Sequence, residues 1–218
     1  VKERPEIAEA FIAAAVAAGH PRNPDYNGAA QDGFGYYQVN QKNGRRISAR
    51  EAYLKPALGR SNLAVRTGAL VTGLVQAEGR VRGVTVATPA GEETITACGE
   101  VILAAGAIQT PQLLELSGIG DPEVLARAGV TLRHALPGVG ANYIDHFCTR
   151  MNWRVKRPVT LNEQTRGLAL VRSVAQYFAF RTGILTLGTG LAHGFVRTRP
   201  DLAGPDVQYF FMHAGYAN

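Results

Sequence analysis

Cysteine is scarce in this sequence, and its spacing excludes the sites that cysteine commonly builds. Cys98 and Cys148 are the two cysteines among 218 residues, and they lie far apart. A zinc site or a redox-active dithiol needs a close pair such as Cys-x-x-Cys, so no metal site is expected. Two cysteines in a chain of this length are typical of a reducing compartment, and we expect a cytoplasmic protein. A disulfide and a peripheral association with membranes remain open.

Long apolar runs are also missing. No stretch approaches the roughly 18 uninterrupted apolar residues of a membrane-spanning helix, so no transmembrane segment is expected. The sequence does not begin with Met, and the apolar run over residues 7–18 is interrupted by Glu9, unlike the core of a signal peptide. We therefore interpret the chain as an internal piece of a longer protein.

Charged residues are few, at 18% of the sequence, and the net charge is +6. The basic residues are mostly arginine, and they are scattered from Arg4 to Arg199 without a run of five or more. This scatter does not predict a nucleic-acid partner, which would need a dense basic patch. Hydrophobic residues make up 46% of the sequence, which is enough for a buried core and argues against disorder.

Turn residues and the spacing of apolar residues predict an alternation of short elements. Three strand candidates follow one another at residues 69–76, 80–88 and 92–98, with turn residues at 78–79 and 90–91 between them. Such a succession predicts an antiparallel meander. Elsewhere the pattern predicts helices over residues 7–18, 48–53, 121–128 and 165–181, and short strands over residues 36–40, 62–66, 149–155 and 206–212.

The segment VILAAGAIQTPQLLELSGIG, residues 101–120, is the most informative part of the sequence. Val101–Ala105 is a continuous apolar run, as expected of a strand that is buried on both faces of a parallel sheet. Gly106 should end this strand, and Pro111 should open a helix that stops at Gly118. Small residues and a helix N-terminus would let the backbone approach a ribose or pyrophosphate. On these residues alone, glycines that serve only packing are an equally good interpretation.

The same segment resembles the second signature of the glucose–methanol–choline (GMC) oxidoreductases, G-A-x-x-[ST]-P-x-L-L-x-x-S-G-[IV]-G. Residues 106–120 match this pattern at Gly106, Ala107, Thr110, Pro111, Leu113, Leu114, Ser117, Gly118, Ile119 and Gly120. LPGVGANYIDH, residues 136–146, and GRRISAREAYLKPA, residues 44–57, are similar to further family patterns. The resemblance covers residues 5–150 and extends more loosely over the rest.

The resemblance implies an α/β fold whose second part is α+β. Residues 1–140 would form part of a GMC-type FAD-binding domain that contains the meander. Residues 141–218 would form part of a substrate-binding domain built on an antiparallel sheet. The turn Pro137–Gly140 is the expected boundary between the two domains.

The activity implied by the resemblance is the oxidation of a primary alcohol to an aldehyde. In this chemistry FAD takes a hydride from the carbinol carbon, while a histidine removes the hydroxyl proton. The substrate would be a small-molecule alcohol, and the sequence does not identify the electron acceptor. Two alternatives remain: a non-catalytic remnant or partner-binding piece of this fold, and a lyase of the same fold.

Two features of the family are missing from this chain. Its G-x-G-x-x-G loop has no counterpart here, and its catalytic histidine is expected well beyond Asn218. We therefore expect no catalytic residue within residues 1–218. We also expect the whole protein to bind FAD and this chain alone not to retain it.

The resemblance also assigns roles to individual residues. Val71 would stand in a strand whose backbone meets the adenine end of FAD, although a plain core valine is equally consistent with its position. Ala105 and Gly106 would lie where the signature passes the cofactor. His146 would line the substrate cavity, with a structural role as the alternative, and Cys148 would lie in the same cavity. The other histidines, His20, His134, His193 and His213, are expected to be ordinary surface residues or hydrogen-bonded core residues.

The position of Cys148 bears on the choice of alcohol. Family members that oxidise choline carry a glutamate two residues after the equivalent of His146, whereas this chain has Cys148 there, preceded by Phe147. A thiol without a perturbing environment is uncharged near neutral pH and offers little to a quaternary ammonium group. The sequence therefore predicts a neutral alcohol rather than choline as the preferred substrate.

Overall fold

The computed structural model describes residues 3–215, and contacts divide this part of the chain into two compact units. The described parts of Val1–Gly59 and Arg150–Asn218 form the first unit, and Arg60–Thr149 forms the second. Both units combine helices with sheets, which confirms the mixed class of the fold. The boundary near residue 140 between a cofactor domain and a substrate domain stays a prediction, because packing within this chain does not reveal what each part binds.

Helices and strands alternate along both units. The helices are α1 Glu6–Ala17, α2 Lys55–Ala57, α3 Gly106–Leu116, α4 Pro122–Arg127, α5 Leu161–Gln164 and α6 Gly167–Phe180. The strands are β1 Gly33–Tyr36, β2 Gln41–Lys42, β3 Arg45–Arg46, β4 Leu70–Ala77, β5 Arg80–Thr88, β6 Gly91–Thr96, β7 Ile119–Gly120, β8 His134–Ala135, β9 Gly190–Val196 and β10 Val207–Met212. A π-helical turn, Arg50–Leu54, precedes α2, and a 3₁₀ turn, Ile184–Thr186, precedes β9. No helix in the described residues is long and apolar enough to cross a membrane.

The first unit is built on an antiparallel sheet with the strand order β1–β9–β10. Helix α1 covers one face of this sheet, because its alanine-rich sequence favours a helix and its apolar side chains need a partner surface. Ile12 of α1 packs with Phe34 and Ala192 of the sheet in the buried core of this unit. The ring of Phe11 stacks on that of Phe211, with 4.5 Å between centroids. The predicted helices over residues 7–18 and 165–181 are confirmed as α1 and α6.

The second unit contains the predicted meander. Strands β4, β5 and β6 pair antiparallel in that order. Glu78 and Gly79, at the first turn of the meander, both have positive φ angles, +51° and +71°, as a two-residue hairpin turn requires. The predicted helix after Asp121 is also confirmed as α4. The Asp121 carboxylate accepts the N–H groups of Glu123 and Val124 at 2.8 and 3.1 Å.

The segment Val101–Ala105 is not a strand, which corrects the prediction of a central parallel strand. Ile102 is 84% exposed, and no strand among the described residues pairs with this segment. A strand forms only where a neighbour supplies hydrogen bonds, and an apolar run cannot show whether its own chain contains that neighbour. Helix α3 also begins earlier than predicted, at Gly106, so Pro111 lies inside it and has no N–H to donate to the carbonyl of Ala107.

Four shorter predicted elements also differ from the structure. Residues 62–66 and 149–155 contain no strand in the described chain. The strand predicted at residues 36–40 occurs at Gly33–Tyr36, and the chain then turns into the hairpin of β2 and β3. The helix predicted from Ser48 takes the π form over Arg50–Leu54. The strand predicted at residues 206–212 is confirmed as β10.

Candidate functional site

The N-terminus of α3 carries the predicted cofactor residues Ala105 and Gly106. Both residues are exposed, and Gly106 has a φ angle of +92°, which side-chain-bearing residues rarely adopt. A Cβ atom at Gly106 would meet no described atom within 4 Å, so the space before the helix is open. The first N–H groups of an α-helix lack partners within the helix, and no side chain caps them here. This helix end can therefore receive an electron-rich ligand group.

The predicted cofactor residue Val71 lies on β4, one of the two edge strands of the meander within the described chain. Its side chain is 36% exposed, and its Cα partner on β5 is Val86. The pairing of β4 with β5 shifts register between Val71 and Gly73 and again between Val75 and Gln76. The unpaired edge of such a strand presents backbone groups that a ligand can contact.

Ser117 joins the two elements that carry these predicted residues. Its side chain is buried, with 7% of the residue exposed. The hydroxyl donates to the carbonyl of Leu113 at 2.6 Å and accepts the backbone N–H of Leu74 at 2.9 Å. The side-chain amide of Gln76 donates to the carbonyl of Ser117 at 2.7 Å. The C-terminal end of α3 is thus fixed to the outer edge of β4.

The glycines that follow Ser117 form a backbone junction. The carbonyl of Gly118 accepts the N–H groups of Arg133 and His134 at 2.8 and 3.0 Å, and the N–H of Leu136 donates to the carbonyl of Gly120 at 2.9 Å. Gly118 has a φ angle of +80°, and a Cβ atom there would lie 2.5 Å from the carbonyl oxygen of Thr131. The last four residues of the signature therefore serve packing, whereas its first residues face open space.

The predicted substrate residues His146 and Cys148 lie in a segment without regular structure. Both are exposed, Cys148 is a free thiol, and Phe147 between them is 97% exposed. The backbone N–H of His146 donates to the carboxylate of Asp145 at 2.7 Å. The described residues do not enclose these side chains. The assignment of His146 and Cys148 to a substrate cavity therefore stays a prediction.

His193 is a functional candidate that the sequence interpretation missed. The residue is fully buried, and neither ring nitrogen has a hydrogen-bond partner among the described residues, which corrects the expectation of a hydrogen-bonded core histidine. Its ring lies 4.3 Å from that of Tyr26, 5.5 Å from that of Tyr37 and 5.4 Å from that of Phe195, between centroids. Burial lowers the pKa of His193 and raises the pKa of Tyr37 to about 12, so both rings are uncharged near neutral pH.

His213 is a second buried histidine, 1% exposed. Burial lowers its pKa, and the backbone of Thr189 opposes that shift. A signal for His193 exists in the sequence, because residues at alternate positions of a strand share a face, and His193 stands between Leu191 and Phe195 in that alternation. Ala192 and Gly194 are buried as well, so both faces of β9 are covered here, and a histidine in this part of the strand is an informative buried polar residue.

Two cavities in the first unit contain none of the predicted site residues. One has a volume of about 740 Å³ and is an open groove between Val39–Lys42 and Ile47–Pro56. The other, of about 250 Å³, lies between α1 and Val155–Val159. Within residues 3–215 no group of three or more histidine, cysteine, aspartate or glutamate side chains is placed to hold a metal ion.

Comparison with known proteins identifies the family. The model of the GMC oxidoreductase family matches residues 1–148, which is more than half of the chain. The chain therefore belongs to the GMC oxidoreductases, as the signature at residues 106–120 predicts.

Relatives and solved structures agree with this assignment. An oxygen-dependent choline dehydrogenase of Staphylococcus saprophyticus is 41% identical over 204 residues, which cover 94% of this chain and 36% of that protein. A protein with the same description from Photobacterium profundum is 37% identical over 210 residues, with the same shares covered. The chain thus spans 36% of the length of these curated relatives.

Among solved structures, pyridoxine 4-oxidase from Mesorbium loti is 36% identical, with a TM-score of 0.59 over 63% of this chain and 27% of that chain. A formate oxidase of Aspergillus oryzae RIB40, studied for the modification of its FAD, is 27% identical, with a TM-score of 0.73 over 89% of this chain and 35% of that chain.

The second unit fits the FAD that this family membership implies. The first turn of α3 offers small residues, free N–H groups and open space at Gly106. These properties suit an anionic group or a sugar hydroxyl that approaches a backbone closely. Strand β4 offers an unpaired edge near Val71 within the described chain. The G-x-G-x-x-G loop that commonly receives the pyrophosphate is not part of the sequence, so this unit would supply one part of the site.

Proposed function

We propose that this chain is part of a longer FAD-dependent oxidoreductase that oxidises a primary alcohol to an aldehyde. The observation that carries the proposal is the signature segment, which forms a helix with an open, glycine-led N-terminus at Gly106. The assignment to GMC oxidoreductases and the identity to choline dehydrogenases support an alcohol as the substrate.

Bound FAD would accept the hydride from the carbinol carbon of the alcohol. The residues of this chain would hold and orient that cofactor. The first N–H groups of α3, beginning at Ala105 and Gly106, would donate to electron-rich groups at the positive end of the helix dipole. The backbone around Val71 would contact a further part of the cofactor at the edge of β4. No residue of this chain is assigned the removal of the hydroxyl proton.

His146 and Cys148 would contribute to the wall of the substrate cavity. Their place directly after the matched segment LPGVGANYID supports this role, because that segment belongs to the family pattern. The exposure of both residues leaves them available to a substrate or to further parts of the whole protein. The two ring nitrogens of His146 can form hydrogen bonds, and this suits the orientation of an alcohol.

The visible spectrum of the purified whole protein tests the proposal. We expect the absorption bands of an oxidised flavin, bleaching of those bands by a primary alcohol without oxygen, and one aldehyde formed per flavin bleached. A protein without flavin bands would support the non-catalytic alternative. Flavin bands that no alcohol bleaches, together with release of an aldehyde from a cyanohydrin, would support the lyase alternative.

Choline is the second candidate substrate. The descriptions of the relatives from Staphylococcus saprophyticus and Photobacterium profundum name choline dehydrogenase activity, which favours it. Cysteine at position 148 favours a neutral alcohol, because its side chain lacks the carboxylate with which a glutamate would pair a trimethylammonium cation. We propose the neutral alcohol as the preferred substrate, and steady-state kinetics with both alcohols distinguish the two candidates.

A further inference from the structure

We infer that Ser117 and Gln76 are positioning residues of the cofactor site, an inference that rests on the proposed FAD binding. They fix strand β4, which carries Val71, to helix α3, whose first turn carries Gly106. Neither residue needs to touch the cofactor for this role. Their hydrogen bonds set the place of one backbone segment relative to the other.

The hydroxyl of Ser117 is oriented by its own helix. It donates its proton to the carbonyl of Leu113 at 2.6 Å, one turn back along α3. Its lone pairs then face the N–H of Leu74, which it accepts at 2.9 Å. Ser117 and its bond to Leu113 are buried, and the bond to Leu74 is half-buried, so water competes less for both bonds than it would at the surface. Serine therefore provides a directional link from helix to strand that alanine cannot provide.

Strand β4 depends on this link more than a regular strand would. Its pairing with β5 shifts register between Val71 and Gly73 and again between Val75 and Gln76. Leu74 lies between these two irregularities. Gly73–Val75 pair with β5, but the bulge on either side lets β4 bend, so the ladder with β5 alone fixes this part of the strand less firmly than an uninterrupted ladder would. Ser117 fixes it from the opposite edge at Leu74, and Gln76 adds a second bond at 2.7 Å.

The consequence concerns affinity for the cofactor. If FAD contacts the backbone at both Val71 and Gly106, its binding depends on the relative placement of β4 and α3. Loss of the link allows β4 to move relative to α3. Part of the binding free energy of FAD is then used to order the two segments, and the affinity falls. We expect the substitution Ser117→Ala to raise the dissociation constant of FAD about tenfold, because it leaves the half-buried N–H of Leu74 without its partner.

The experiment uses the whole protein, freed of FAD and titrated with FAD while flavin fluorescence and the visible spectrum are recorded. Ser117→Ala is compared with wild type and with Ser117→Thr, which keeps the hydroxyl. Leu125→Ala is the control, because Leu125 is 1% exposed in α4 of the same unit and takes no part in the link. It should lower the thermal midpoint of the apoprotein while changing the dissociation constant by less than about twofold.

We expect Ser117→Ala to weaken FAD binding about tenfold, and Ser117→Thr to restore the affinity. An FAD dissociation constant within about twofold of wild type for Ser117→Ala, or equal weakening by Leu125→Ala, would overturn the inference while leaving the proposed function intact. A wild-type protein that binds no FAD would overturn both. If Ser117→Ala does not fold, Gln76→Ala replaces it, with a roughly threefold increase expected in support and an unchanged constant as the contrary result.

Discussion

The imidazole of His193 packs edge-on against the ring of Tyr26, with 4.3 Å between their centroids. Tyr26 belongs to the segment between α1 and β1, and His193 pairs with Gly35 where β9 meets β1. Tyr37 and Phe195 place aromatic rings on further sides of the imidazole. A charged imidazole would need a hydrogen-bond acceptor or water, so protonation of His193 opposes the closed arrangement of this cluster.

We predict that acidification destabilises the first unit through His193. Burial lowers its pKa in the folded state from the value of about 6.5 in an unfolded chain. At pH values well above about 6.5, His193 is neutral in both the folded and the unfolded state, so it adds no pH dependence to the free energy of unfolding. As the pH falls from about 6.5 towards the lowered pKa, the unfolded state gains a proton that the folded state excludes, so the free energy of unfolding decreases. Urea unfolding at neutral and at acidic pH should show a smaller decrease for His193→Phe than for wild type.

Two other histidines define the controls for this measurement. His213 is also buried with a lowered pKa, so His193→Phe should retain part of the dependence on pH. His134 is exposed on β8, and His134→Gln should follow wild type. An equal loss of stability in wild type and His193→Phe would show that this cluster does not control the acid response.

Residues 1–218 alone should bind FAD only weakly. The second unit offers the helix end at Gly106 and the strand edge at Val71, but the sequence contains no glycine-rich pyrophosphate loop. A submicromolar dissociation constant corresponds to more than about 8 kcal/mol, which one part of a binding site rarely supplies. Equilibrium dialysis of this polypeptide against FAD measures it directly. Binding at submicromolar concentration would show that the site is complete within these residues.

Gly106→Val should disturb the start of α3. A φ angle of +92° is unfavourable for any side chain and most unfavourable for a β-branched one, and we expect a loss of roughly 1–3 kcal/mol in the free energy of unfolding. A Cβ atom at Gly106 has no neighbour within 4 Å in the described chain, so the loss of stability comes from backbone strain and not from a steric clash. In the whole protein the valine would also occupy the space proposed for FAD.

The control for this substitution is Gly99→Val. Gly99 lies in the same unit, has no positive φ angle and faces equally open space. Its replacement should therefore leave both stability and flavin content near those of wild type. Chemical unfolding and the ratio of flavin to protein absorbance measure the two effects. Similar results for the two variants would contradict the role assigned to the backbone of Gly106.

Local features of the sequence are sufficient to predict the meander and several helices. Glu78-Gly79 lies between two runs rich in β-branched residues, and this combination predicts a hairpin turn between two strands. Asp121 caps α4 and Pro122 begins it, and both residues are adjacent in the sequence to the helix that they start. The family signature in residues 106–120 is recognisable for the same reason, since its residues are contiguous.

Features that depend on distant partners cannot be predicted in this way. The link from Ser117 to Leu74 spans 43 positions, so no local pattern shows it. The apolar run Val101–Ala105 has the composition of a buried strand, but the described chain supplies no neighbouring strand. Whether His146 lines a substrate cavity depends in the same way on residues that do not lie beside it in the sequence.

A neutral primary alcohol should be a better substrate of the whole protein than choline. Cys148 lacks the carboxylate that a glutamate would present to the trimethylammonium group, and Phe147 offers a cation–π attraction of about 1–2 kcal/mol, less than a buried carboxylate provides. We therefore expect a higher kcat/KM for neutral aliphatic or aromatic alcohols in steady-state kinetics. Cys148→Glu should raise kcat/KM for choline about tenfold relative to the neutral alcohol, while Cys148→Ala controls for loss of the thiol alone. If choline gave the highest kcat/KM in wild type and Cys148→Ala left it unchanged, position 148 would not determine the choice of alcohol.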